Sequence, residues 1–487
     1  MNIVEALDSP EVFAPLLRDP STWAAWRCFL LALFGLPMSE EETALYRTCT
    51  GRSDPPSVPC SEAWLVIGRR GGKSFTLSLI ACFLACFIDW RPYLGPGERA
   101  TIMVIAADRK QARVIMRYVK GILQQVPMLA QTIEAERAEA VDLTSRITIE
   151  VHTASFRTVR GYTIVAALLD ELAFWQGEDS SNPDSEVIAA IKPAMATVPE
   201  AMLLCASSPY ARRGALYDAH RRHHAKEGDP VLVWQAPTRV MNPSIPQHII
   251  DDAFEDDPVS AAAEYGAEFR TDIEGFVTRE IVNSCIDAGV HERMALRNTH
   301  YVGFVDPSGG SSDSFTVAIG HEEKGKGVLD VLREVRPPFS PTSVVEEFAT
   351  LLKTYRINRI QGDRYAGEWP REAFAKHGIK YEPSAKPKSD LYRDLLPLLN
   401  SEQVSLLDLP RLTSQLVSLE RRTARSGRDS IDHAPGGHDD VANAVAGVLT
   451  SVAGSDSAAA YTYGLMHNVS NKPGERSRYS FGRGLTL

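Results

Sequence analysis

Between residues 61 and 225, short apolar runs alternate with amphipathic stretches. The runs are Trp64–Ile67, Thr101–Ala106, Ile147–Val151, Ile164–Leu169 and Met202–Ala206. Each has strand length, and the segments between them carry helical spacing. Such alternation predicts an α/β unit, a mostly parallel sheet with helices on both faces. Ahead of it, residues 1–60 are patterned for helix, as in T-W-A-A-W-R-C-F-L-L-A-L-F, and end in the Pro/Ser-rich S-D-P-P-S-V-P-C-S. The longest apolar run, Phe75 to Trp90, contains Asp89. It is too short to span a membrane and reads as a buried helix.

The pattern changes twice downstream. Residues 226–275 hold G-D-P, N-P and D-D-P turn signals around a helical A-A-A-E-Y-G-A-E-F, the marks of a connector or lid subdomain. From about 276, Tyr301–Val305, Phe315–Gly320 and Gly327–Leu332 predict a three-strand meander. A helix (S-V-V-E-E-F-A-T-L-L-K-T-Y), the strand Arg359–Gly362, a further helix and strand, and the helix D-D-V-A-N-A-V-A-G-V-L follow. That is the element order of an RNase H-like mixed sheet. The expected organisation is a nucleotide-binding domain over 1–225, a connector over 226–275, an RNase H-like domain over 276–452 and a flexible tail over 453–487. The tail is rich in Gly, Ser, Arg and Tyr without periodicity.

Charge narrows the function classes. The net charge of -10 excludes wholesale coating of nucleic acid, so any DNA contact must come from local basic patches. The seven cysteines include no C-x-x-C pair, and several sit in apolar runs, as reduced thiols do in a reducing compartment. The N-terminus lacks the parts of a signal peptide, and the expectation is a cytoplasmic protein without a membrane segment.

Candidate chemistry falls at two places. Between the first predicted strand and helix lies G-R-R-G-G-K-S: Gly68, Arg69, Arg70, Gly71, Gly72, Lys73 and Ser74. A phosphate loop needs close backbone approach at a helix start, a Lys for the β/γ-phosphates and a hydroxyl for Mg²⁺. By strict spacing the first glycine is misplaced, because Ile67 stands six residues before the Lys and Gly68 comes one late. The strand V-A-A-L-L-D-E then ends in Asp170, suited to hold Mg²⁺, and Glu171, suited to activate water. Ser207 and Ser208 of C-A-S-S-P read equally as γ-phosphate sensors or as a turn. Arg160 is a candidate arginine finger or a plain surface residue, and Arg69 and Arg70 can neutralise phosphate charge.

The second place is a set of acids. Asp306 ends the first strand of the meander, Asp363 ends the fourth, and Asp439 and Asp440 open the last helix. In an RNase H-like sheet these segments converge, as two-metal phosphodiester cleavage requires. Adjacent helical residues point about 100° apart, so one of Asp439 and Asp440 takes the main ligand role, with a lean to Asp440. His438 and Asp313 are accessory candidates. Lys386, Lys388, Arg393, Arg421, Arg422, Arg425 and Arg428 would suit a DNA backbone or a solvated face. The cluster His220, His223 and His224 is expected to be solvated.

Taken in order, G-R-R-G-G-K-S, L-L-D-E, C-A-S-S-P, M-N-P (241–243), E-Y-G-A-E-F-R (264–270), F-V-D-P-S-G-G, G-D-R-Y and H-D-D resemble the large terminase subunit of tailed bacteriophages and prophages over residues 20–450. The shifted phosphate-loop glycine is a frequent variant there. The resemblance implies an additional-strand, RecA-like ATPase followed by an RNase H-like nuclease. It implies ATP with Mg²⁺ at the motor site and two Mg²⁺ or Mn²⁺ at the nuclease site. It also implies a ring, typically five-membered, on the portal protein of a procapsid in the host bacterial cytoplasm. Double-stranded DNA and a small terminase subunit would be its partners. Arg160 would act in trans, Arg69 or Arg70 in cis, and adenine contacts would come from 20–60. Two other classes compete: a helicase or translocase with a structural C-terminal domain, which predicts DNA-stimulated ATPase without cleavage, and a nucleotide-binding docking protein without turnover.

Overall fold

The computed structural model describes residues 1–154, 161–175, 183–311, 313–363, 368–423, 429–434 and 437–467, with side chains described as far as 453. It divides into two compact units, Met1–Phe276 with Ser418–Gly437, and Val277–Val417 with the chain from His438.

The first unit is built on eight strands: β1 (Glu62–Ile67), β2 (Ala100–Ala106), β3 (Ile133–Glu136), β4 (Ala140–Leu143), β5 (Ile147–Thr153), β6 (Thr163–Asp170), β7 (Met202–Ser207) and β8 (Val231–Ala236). Their order is β3-β4-β5-β2-β6-β7-β1-β8. The stretch from β5 to β8 is parallel, and β3 and β4 add an antiparallel edge. β2, β6 and β7 are buried almost throughout, as strands covered on both faces must be. The helix Lys73–Phe87 is apolar nearly all round and packs against both the sheet and the helix Arg109–Gln125, which also lies on the sheet. The latter buries Ala112, Ile115, Met116, Val119, Ile122 and Leu123 on one face, and Asp108 caps it through the N–H groups of Lys110 and Gln111. Because β7 lies between β1 and β6, the sheet has the additional-strand, RecA-like arrangement. One expectation needs correction. Residues 231–236, assigned to the connector, instead form β8, because V-L-V-W-Q-A pairs along the full length of β1. A short strand, β9 (Ile273–Gly275), closes the segment.

The second unit holds β10 (Ile286–Asp287), β11 (Tyr301–Asp306), β12 (Phe315–Glu323), β13 (Lys326–Val335), β14 (Arg359–Gly362), β15 (Lys380–Pro383) and β16 (Val404–Leu407) in the order β10-β16-β13-β12-β11-β14-β15. β11, β12 and β13 form the antiparallel meander, and β14 returns parallel beside β11. That is the RNase H-like order expected. The helix Pro341–Thr354 packs Val344, Val345, Phe348 and Leu352 into a core with Tyr301 and Phe315. The helix Asp440–His467 also packs against β11, β12 and β13. It sits so close that a Cβ on Gly447 would fall 2.2 Å from Phe304. This helix runs on to His467, past the 453 boundary expected for a flexible tail.

Residues 418–437, expected within the second domain, belong to the first unit. Their strands β17 (Leu419–Thr423) and β18 (Asp429–His433) form a three-stranded sheet with β9. Glu420 is fully buried there, accepting from Tyr210 Oη at 2.8 Å and Arg213 at 2.5 Å. Among the described residues no helix is long and apolar enough to cross a membrane.

Candidate functional sites

The first site forms where β1, β6 and β7 end side by side. β1 turns through Gly68–Gly72 into the helix that starts at Lys73, whose first-turn N–H groups lack intrahelical partners. Arg70 and Gly72 are left-handed, with φ of 65° and 98°. Lys73 is buried and reaches across β7: its Nζ lies 3.2 Å from Glu171 Oε1 and 2.9 Å from Ser208 Oγ, and it donates to the Ile67 carbonyl at 3.2 Å. Ser74 Oγ donates to Asp170 Oδ2 at 2.6 Å.

Asp170 is fully buried at the end of β6, and its Oδ1 has no hydrogen-bond partner. Burial first, and then the neighbouring Glu171, raise its pKa above the usual carboxylate range. Glu171 is itself left-handed, with φ 52°, and its Oε2 accepts from Ser207 Oγ and from Ser208 N, both at 3.2 Å. Ser207 and Ser208 are therefore wired to Glu171 and Lys73 rather than forming a bare turn.

The displaced glycine also has a cause. A Cβ on Gly68 would fall 2.3 Å from Thr238 Oγ1 and 2.8 Å from the Tyr265 carbonyl, so no larger residue fits there. Close by, Thr238 Oγ1 donates to the Arg69 carbonyl at 2.8 Å, and the Arg69 side chain pairs with Glu264 at 3.0 Å. The exposed Arg70 side chain makes no such ion pair among the described residues.

The second site gathers acids from three segments. Asp306 ends β11 and Asp363 follows β14, which β11 pairs with in parallel. Both accept from the same amide: Asn443 Nδ2 lies 2.8 Å from Asp306 Oδ2 and 3.3 Å from Asp363 Oδ2, while Asn443 Oδ1 is buried without a hydrogen-bond partner. Burial drives the Asp306 pKa well up. The Asn443 bond opposes this, and Asp440, Asp363 and Asp439 add to it. Asp440 faces Ser314 N, at 3.4 Å, and His438 Nδ1, at 3.9 Å. Its pKa is pushed up to about 6, chiefly by burial and then by Asp439. Asp439 is held differently, accepting from Tyr392 Oη at 2.9 Å and Lys388 Nζ at 3.1 Å. His438 also lies 3.9 Å from Asp313.

The predicted site residues fall into two groups. Gly68 to Ser74, Asp170 and Glu171 come together in the first unit, and Asp306, Asp363, Asp439 and Asp440 in the second. Arg160, Arg425 and Arg428 lie outside the described residues. Several basic residues expected on a DNA backbone are engaged with acids instead: Lys386 with Asp394, Arg393 with Asp390, Arg421 with Asp429, and Arg422 with Glu420. The histidines are not simply solvated either. His220 bonds Gln235, His223 bonds Asp229, and burial pushes the His224 pKa down to about 4.

Two side chains that bond the candidate acids escaped the sequence reading. Gln111 Nε2 donates to Asp170 Oδ2 at 3.0 Å, yet a Gln in an amphipathic helix carries no local signal. Asn443 had one: it stands three and four residues beyond Asp440 and Asp439, on the same helical face.

Residues 64–228 match the family model described as terminase large subunit, T4likevirus-type, N-terminal. Among solved structures, the chain is similar to the large terminase of bacteriophage HK97 at 16% identity and a TM-score of 0.37, covering 89% of this chain and 95% of that one. It is also similar to the large terminase of a thermophilic bacteriophage in complex with ADP, at 12% identity and a TM-score of 0.35, covering 81% of this chain and 94% of that one. The large terminase nuclease of the thermophilic phage G20c with bound magnesium aligns at 18% identity and a TM-score of 0.31, covering 35% of this chain and 94% of that one. No curated protein matches.

Proposed function

We propose that this chain, a large terminase subunit of phage type, hydrolyses ATP to move double-stranded DNA into a procapsid and cuts concatemeric DNA by two-metal chemistry. The observation that carries the reading is the pairing of Lys73 with Glu171 at 3.2 Å beside that of Ser74 with Asp170 at 2.6 Å. A lysine, a hydroxyl and two acids from two segments meet at a helix start, where a nucleoside triphosphate binds. The motor is assigned to the first unit, Met1–Phe276 with Ser418–Gly437, and the nuclease to the second, Val277–Val417 with the chain from His438.

The donors fit hard divalent cations. Ser74 and Asp170, with its unpartnered buried Oδ1, suit one Mg²⁺, and Asp306, Asp363 and Asp440 suit two Mg²⁺ or Mn²⁺. When bound, such ions neutralise phosphate charge and make a coordinated water more acidic. The chain's own residues do the rest. Loop N–H groups cradle the phosphates, and Lys73 exchanges Glu171 for the β/γ-phosphates. Glu171, aimed by Ser207 and Ser208, then accepts a proton from the attacking water. Because Arg69 is committed to Glu264, Arg70 is the arginine that acts in cis, and Arg160 acts in trans on a neighbouring subunit of a five-membered ring. Asp439, tied to Lys388 and Tyr392, orients the helix start that presents Asp440. The portal protein and a small terminase subunit are the partners, in the host bacterial cytoplasm.

The test is cleavage of supercoiled plasmid with Mn²⁺ or Mg²⁺, alongside phosphate release from ATP, for the wild type, Asp306→Ala and Lys73→Ala. The reading expects Asp306→Ala to lose cutting and keep ATPase, and Lys73→Ala to do the reverse. A wild type that hydrolyses ATP but cuts with neither metal would move a translocase with a structural C-terminal domain ahead.

A further inference from the structure

The M-N-P and E-Y-G-A-E-F segments take no part in the chemistry above, yet they frame the phosphate loop. Each carbonyl from Ile67 to Gly71 has a donor. Lys73 Nζ serves Ile67 at 3.2 Å, Gly71 N serves Gly68 at 3.1 Å, and Thr238 Oγ1 serves Arg69 at 2.8 Å. Asn242 Nδ2 serves Arg70 and Trp26 Nε1 serves Gly71, both at 2.9 Å. With the carbonyls engaged, the loop cannot rotate its peptide planes without breaking one of these bonds, and those at Arg69, Arg70 and Gly71 come from other segments.

Asn242 differs from the other donors. It holds the one non-glycine residue of the loop that is left-handed, Arg70 at φ 65°, a conformation that L-residues avoid. Its own carboxamide is fixed from the far side, where Oδ1 accepts from Ser244 Oγ at 2.6 Å and Ser244 N at 3.3 Å. Its donor face is thereby kept on the Arg70 carbonyl. The neighbouring Arg69 is locked to Glu264, while the Arg70 guanidinium is exposed.

We infer that Asn242 is a positioning residue for ATP hydrolysis, holding the left-handed turn at Arg70 and so the aim of the Arg70 guanidinium at the bound phosphates. The inference rests on the ATPase reading above. It gives the connector a defined chemical task, since loss of the Asn242 bond releases the arginine without disturbing Lys73 or Ser74.

Steady-state ATPase kinetics test it on the full chain, with wild type, Lys73→Ala, Asn242→Ala, Arg70→Ala, the Asn242→Ala/Arg70→Ala double variant and Ser244→Ala. A fluorescent ATP analogue reports nucleotide affinity. Asn242→Ala is expected to lower kcat about tenfold, with nucleotide affinity within about twofold of wild type. The double variant should be no slower than Arg70→Ala alone, because the two act as one unit. Ser244→Ala, which removes the shorter of the two bonds that hold the carboxamide, should lower kcat in the same direction by a smaller factor. Multiplying effects of Asn242→Ala and Arg70→Ala, or a change in KM with kcat intact, would overturn the inference while leaving the ATPase reading standing. A wild type without Lys73-dependent turnover would sink that reading, and the inference with it.

Discussion

The two acid sites solve one problem in opposite ways. In the first unit Glu171 already has the buried Lys73 as a counter-charge, and Asp170 receives bonds from Ser74 and Gln111. Glu171 is thus compensated before any ligand arrives, while Asp170 keeps an unpartnered Oδ1 and a raised pKa. In the second unit, the groups acting on Asp306 are one neutral amide and three further carboxylates, and its pKa is driven well up. The available cation, Lys388, is placed on Asp439 instead. A phosphate site can carry its own lysine because the ligand is an anion that will take it over. A cation site filled with lysine would exclude its ligand, so it must bear repulsion until the metal comes.

The largest test of this contrast is a swap of losses. Lys73→Ala should reduce ATP turnover at least about a thousandfold and leave plasmid cutting in place, and Asp306→Ala should do the opposite by a similar factor. Equal loss of both activities in either variant breaks the division into two independent sites.

Next comes the helix start. Asp440→Ala should cost cleavage about a thousandfold and Asp439→Ala only about tenfold, because Asp439 acts through Lys388 and Tyr392. Plasmid-nicking rates decide it, and the reverse ranking would make Asp439 the ligand. Tyr392 has its own check: Tyr392→Phe should cost about as much as Asp439→Ala.

A pH experiment sharpens the charge argument. The Asp440 carboxyl is pushed up to about 6, above its unfolded value, so the folded chain holds the extra proton between those two values. Its contribution to stability is present at low pH and is lost as pH rises through about 6. Above that pH, Asp440 stands ionised among other acids. Added Mn²⁺ should therefore raise the melting temperature more at about pH 7.5 than at about pH 5, and Asp306→Ala should shrink the difference. A metal shift that does not depend on pH counts against an uncompensated cluster.

The smallest expected effect is at the compensated site. Gln111→Ala should lower kcat for ATP only about threefold, since Ser74 still holds Asp170. A loss of about a hundredfold would mean that the motor site is less prearranged than its ion pair suggests.

Much of this molecule was legible in local pattern. The apolar runs of β1, β2, β5, β6 and β7 mark buried parallel strands. The spacing of three strands, helix and strand marks the meander, and the acids at strand ends mark the chemistry. These signals depend on chain neighbours alone, through strand and helix periods and through a glycine-rich turn before a helix. Other features depend on which distant segments become adjacent, and no period records that. Gly68 is required by Thr238 and Tyr265, far along the chain. Gln111 meets Asp170 because β2 lies beside β6. Residues 418–437 join the first unit because Glu420 finds Tyr210 and Arg213 there. Residue types and their local order thus specified the elements and the candidate acids. Side-chain reach across a folded sheet specified which acid meets a lysine and which meets a neutral amide among other acids.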